Sequence, residues 1–286
     1  PMMQFSVHFF KKETRHVEYN LLRAFFEARD DFEVRIHDDR SAEFIYTHPR
    51  LLHQAVFYQT KSSQVPNIYR IDAAFLDVNI HVEIPILSPD YFTKEVLLIA
   101  EQLANKFDFY IYYEIFEDPI EVDIDFIMTI YENLKKAYID RHPQVYDDYH
   151  ILPKGKAGAI FRYIDELPQL QNYYRDLDVF VPKYHILTID NNRLALAMEW
   201  RESTATVFPP FIDYIFYRSQ AEVKVLESEV VFKEISDYLE PVPGFIKETR
   251  VISKANIKRA AKAMKKIRFP KRQYSFSKES LMSVLD

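Results

Sequence analysis

Hydrophobic and polar positions alternate at the start of the chain. Gln4 to Phe10 reads as a strand with one apolar face. From Glu13 to Arg29 the spacing changes to four. Val17, Leu21 and Phe25 fall on one stripe and predict a helix. Two strands follow, 32–39 and 42–48, and Asp39-Arg40-Ser41 between them predicts a hairpin turn. A further strand is expected at 53–60 and a polar loop at 61–67. The clearest unit spans residues 75–114. Asp77, Asn79, His81 and Glu83 alternate with Val78, Ile80, Val82 and Ile84, the pattern of a strand with one wet side. Ser88 then reads as a helix N-cap with Pro89 at the first helical position. Phe92, Val96, Ile99 and Leu103 form the buried stripe of that helix, and 108–114 is the next strand.

Strand, helix and strand at this spacing predict a split βαβ, ferredoxin-like sheet with helices on one face, over residues 1–118. A helix at 121–141 follows, with Ile120, Ile124, Ile127, Tyr131, Leu134 and Tyr138 in helical period, and His142-Pro143 ends it. Residues 143–177 are Tyr-rich and Pro-marked and read as irregular, so 119–177 is expected to connect two lobes. The second lobe, 178–286, is expected to hold a small antiparallel sheet. Its strands are 179–189, 194–201, 204–208 and 212–218, with Asn191-Asn192 at a hairpin tip and Pro209-Pro210 at an edge or bend. A short helix at 230–239 and a basic helix complete it. The class is α+β with antiparallel or mixed sheets.

Composition narrows the function classes. Hydrophobic residues make up 48% of 286, enough for a sizeable core. Only three glycines occur, and neither GxGxxG nor GxxxxGK[ST] is present. Phosphate-cradling Rossmann and P-loop sites are therefore disfavoured. With no cysteine, disulfides, thiolate metal sites and a Cys nucleophile are excluded. This fits a reducing, cytoplasmic setting. No signal peptide is legible in the first residues and no window approaches 18 apolar residues, so no membrane span is expected.

Charge supplies the sharpest feature. Eleven Lys/Arg and no acid lie between Arg250 and Lys278, so the rest of the chain carries −17 against −6 overall. Ser253 reads as the N-cap of a helix over 254–268. Ile257, Ala260, Ala261, Met264 and Ile267 form a narrow stripe. Lys254, Lys258, Arg259, Lys262, Lys265, Lys266 and Arg268 cover the rest, and Phe269-Pro270 stops the helix before Lys271 and Arg272. Like charges at i,i+4 weaken an isolated helix by about 0.2–0.5 kcal/mol each, so something must offset them. The acidic body or a protein partner would do so, and so would phosphates. The thin apolar stripe argues against a membrane.

Other chemistry is sparse. His81 and Glu83 stand about 7 Å apart on one strand face. They are close enough to share a metal if a third ligand comes from elsewhere; such alternation more often marks a solvated face. The nine histidines show no HxxxH or HExxH spacing. Gly155 to Gly158, flanked by Lys154 and Lys156, resembles the GxxG backbone clamp of KH modules over those four residues, or else a turn. Tyr146 to His150 is a polar aromatic cluster suited to a linker. The acidic run Glu114 to Asp125 suits the first turn of a helix.

The expectation is thus a non-enzymatic intracellular protein that binds a protein partner or regulates one, without cofactor or metal. The alternative is a nucleic-acid-binding protein acting through Lys254 to Arg272, with Lys154 and Lys156 as minor contributors.

Overall fold

The computed structural model describes residues 2–190, 192–269 and 272–286. It is a mixed α+β structure with several antiparallel sheets and seven α-helices among the described residues. Chain contacts divide it into two units, residues 1–149 with Leu285 and residues 150–284 with Asp286.

The first unit runs β1 (Gln4–Lys12), α1 (Tyr19–Glu27), β2 (Phe32–Asp38), β3 (Ser41–Thr47), β4 (Gln54–Gln59), β5 (Phe75–Pro85), α2 (Asp90–Phe107), β6 (Tyr110–Tyr112), α3 (Ile124–Arg141) and α4 (Val145–Asp148). Its six strands lie in the order β2-β3-β4-β5-β1-β6, each antiparallel to its neighbours. β5 and β6 both pair with β1, so they are parallel to each other with β1 between them, and α2 connects them.

Phe5, Val7, Phe9, Phe44, Phe57, Ile80, Val82 and Ile84 are buried. From α1, Phe26 stacks on Phe44 at 4.2 Å and meets Phe57 at 5.2 Å. From α2, Phe92 meets Tyr46 at 5.9 Å. Phe44, Tyr46 and Phe57 share one sheet face, so both helices cover that face.

Two local expectations shift. Leu22 and Phe26 of α1 are buried, whereas Leu21 is 54% exposed. The chain offers apolar pairs at 21/25 and 22/26, and the aromatic stack on Phe44 selects the second. Ser88 does not cap α2. Its hydroxyl donates back to the Pro85 carbonyl at 2.6 Å, and Pro89 occupies the extended N-cap position.

The second unit runs β7 (His150–Ile151), α5 (Lys154–Arg175), β8 (His185–Ile189), β9 (Arg193–Arg201), β10 (Thr206–Phe208), β11 (Tyr214–Arg218), β12 (Val223–Glu227), α6 (Ser228–Ile235), β13 (Glu240–Pro241), β14 (Arg250–Ile252), α7 (Ile257–Met264) and β15 (Phe276–Lys278). One sheet has the order β12-β11-β9-β8-β15 and another β10-β14-β13. The small antiparallel sheet expected here is mixed, because β9 and β11 run parallel. Between them the chain leaves to pair β10 with β14, and Pro209-Pro210 marks its return. Trp200, Phe208, Ile215, Val231, Ile235 and Ala260 are fully buried in one cluster.

The largest correction is α5. The segment 143–177 is not irregular, since residues 154–175 form a 22-residue helix with Pro168 inside it. Buried Ala157, Ile160, Phe161, Tyr163, Leu170 and Tyr174 anchor it. Tertiary packing of that kind outweighs weak helical propensity. Gly155 and Gly158 lie in this helix, neither at positive φ, so they form no turn.

Candidate functional site

The basic segment begins where β14 ends at Ile252. The helix there is shorter than the 254–268 expected. α7 covers Ile257–Met264, with Asn256 rather than Ser253 at the N-cap and no side-chain cap bond. Crowded like charges with no capping bond account for a helix of two turns. Its anchor is the predicted narrow stripe, shifted by two positions: Ala260, Ala263, Met264 and Ile267 are buried, while Ile257 and Ala261 are half-buried. Small side chains let the helix backbone lie close against the core that holds Trp200 and Val231.

The cations point the other way. Lys254, Lys258, Arg259, Lys262, Lys265, Lys266, Arg268 and Arg272 are all exposed. Lys254 pairs with Asp178 at 2.6 Å and Arg272 with Asp190 at 2.8 Å, both at exposed positions. Arg259 donates to Asn256 Oδ1 at 2.7 Å and lies 5.8 Å from the Tyr238 ring. Lys258, Lys262, Lys265, Lys266 and Arg268 have no ion pair among the described residues. Lys271 lies outside the described residues.

Lys154 and Lys156 are not brought into this patch by any shared cleft. Lys154 is exposed at the start of α5. Lys156 lines a cleft of about 570 Å³ with His150, Arg193, Asp213, Glu227, Ser228 and Glu229, to which no residue of 254–272 contributes. Asp213 Oδ2 accepts from the Leu196 N–H at 2.8 Å. Burial pushes the Asp213 carboxyl above its usual range, opposed by that hydrogen bond and by Lys156 and Arg193. The cleft thus offers acids and cations together, suited to a small polar ligand that is both donor and acceptor. Sequence spacing could not reveal it, because its residues come from α5, β9, β11 and α6.

The polar face of β5 is not solvated as alternation predicts. His81 is only 6% exposed, and Asp77, Asn79 and Glu83 are half-buried. Residues 61–74 cross this face and bring Val65 and Ile71 against Phe10 and Tyr112. Asn79 takes φ 63° beside a bulge where β1 residues Phe9 and Phe10 pair with Ile80 and Asp77. Burial raises the Asp77 carboxyl, which accepts hydrogen bonds from Ser63 Oγ and from the Asn79 N–H.

The acidic run has a structural use. Asp123 caps α3 by accepting from the Phe126 N–H at 3.1 Å, and Asp125 stands in its first turn. No helix among the described residues is long and apolar enough to cross a membrane. No family model, no curated protein and no solved structure matches this chain.

Proposed function

We propose that this is a binding protein that holds nucleic acid along the basic face of residues 254–272. One observation carries the reading: five cations of this segment, Lys258, Lys262, Lys265, Lys266 and Arg268, are exposed and have no carboxylate partner among the described residues. The acidic body does not neutralise them, which weighs against an internal counter-charge. Residues four apart on a helix rise by about 6 Å, so Lys258 and Lys262 offer successive cations to a phosphate backbone. The buried Ala260, Ala263 and Met264 hold α7 rigidly enough to present that row. A basic patch docked by its apolar face is the electrostatic footprint of phosphate binding.

The same surface would serve an acidic protein partner, the reading first favoured by composition, and one experiment separates the two. Fluorescence anisotropy with short labelled duplex DNA, single-stranded DNA and RNA at low salt is expected to show binding by the wild type. The charge-reversed variant K258E/K262E/K266E, altered only at exposed positions, is expected to lose it. If none of the three nucleic acids binds, the acidic-protein reading replaces this one.

We also read β1, α1, β4, β5, α2 and β6 as a ferredoxin-like core extended at one edge by the β2–β3 hairpin, a reading supported by the strand order. The lack of cysteine supports a cytoplasmic setting.

A further inference from the structure

His81 and Glu83 lie on one strand face, and a metal site there lacks a third ligand within β5. The sheet register supplies a candidate. β1 and β5 pair antiparallel with His8 directly opposite His81. The two rings stack at 5.1 Å and 30°, and Tyr58 stacks on His81 at 5.2 Å. His8 and His81 are 8% and 6% exposed. They are not sealed in a core, however. With Ser6, Glu83, Tyr112 and Glu114 they line a pocket of about 240 Å³. His81 Nε2 lies 3.4 Å from Glu83 Oε1. His8 has no hydrogen-bond partner among the described residues.

Burying an imidazole without a hydrogen bond costs about 1–3 kcal/mol, and the fold gains nothing from it that a phenylalanine would not give. Such groups in a pocket mark binding sites more often than packing accidents. We propose that His8, His81 and Glu83 bind a divalent transition-metal ion of the zinc class. Two imidazoles and a carboxylate form a donor set suited to a borderline cation. Burial holds the His8 imidazole down at about 4, helped by His81, and burial also lowers His81 against the pull of Glu83. Both rings are therefore neutral at neutral pH, and no proton competes for the nitrogens. Exposed Glu114 adds negative charge to the pocket lining.

As the side chains stand, the three donors do not converge on one point. Ligation requires His8 or Glu83 to turn, and His8 breaks no hydrogen bond in doing so. The pocket leaves room beside the ion for water or a small ligand, as in sites that keep one open position.

Cobalt(II), a visible-absorbing stand-in for zinc, tests this by titration into the full chain. The wild type is expected to bind one equivalent with the absorption of an imidazole-ligated ion, and zinc is expected to displace it. H8Q, H81Q and E83Q are each expected to weaken binding by at least about tenfold. H37Q and H150Q are expected to leave it unchanged. Circular dichroism checks that each variant is folded. E83Q, altered at a half-buried position, keeps the test decisive if a histidine variant does not fold. A wild type that takes up no stoichiometric cobalt, or folded variants that keep wild-type affinity, overturn the proposal. Neither result bears on nucleic-acid binding, which uses the other unit.

Discussion

Lys135 is 2% exposed, in a helix whose sequence stripe gave no sign of it. Its ammonium lies 2.5 Å from Asp90 Oδ1 and 3.0 Å from the Ser88 carbonyl, against the Tyr131 ring at 5.2 Å. Nothing in sequence links positions 45 apart; only the packing of α3 on α2 does. Removing one member of a buried pair costs more than the pair is worth, because the remaining charge stays desolvated. Asp90→Ala is expected to cost about 3–5 kcal/mol in urea unfolding.

His53 is the residue whose titration reaches the whole fold. Burial depresses it to about 4, opposed by its hydrogen bond to the Leu51 carbonyl and assisted by His48. The Phe92 ring lies 5.5 Å away. Its folded value is below the unfolded one near 6.5, so the neutral form is the folded one. Its contribution is complete above about pH 6.5 and is lost as pH falls toward 4. Thermal unfolding between those limits is expected to fall less steeply for His53→Asn, whose amide can keep the bond to Leu51.

Among the elements, those with strong two-residue or four-residue periods were legible. The β2–β3 hairpin turns at Asp39-Arg40 as its residues demand, and α2 and α3 carry their expected stripes. α5 was not legible, because two glycines, a proline and clustered tyrosines each argue locally against a helix. The polar face of β5 misled for a different reason. Alternation reports which residues share a face, but whether a later loop covers that face depends on contacts distant in sequence. The helical placement of Gly158 yields its own test. A methyl group there would meet nothing within 4 Å. Gly158→Ala is expected to raise stability by about 0.5–1 kcal/mol and leave nucleic-acid affinity unchanged. Lost affinity would instead restore the backbone-clamp reading of Gly155 to Gly158.

Across the whole molecule, charge is the property that sequence conveyed best. The basic block between Arg250 and Lys278 and the −17 remainder are plain from composition. The direction in which the lysines point was not, because the same Ala/Ile/Met stripe serves a helix docked with its cations inward or outward. Burial of Ala260 and Met264 with exposure of the cations decides it. Deleting residues 250–286 would therefore be a poor test, since it removes part of the core along with the charges. Salt dependence asks the question without disturbing the fold. Each phosphate neutralised contributes about 0.9 to the slope of log affinity against log salt on duplex DNA. Five cations without carboxylate partners predict a slope of about −4 to −5 for the wild type. No binding at low salt, or an affinity indifferent to salt, would contradict the account.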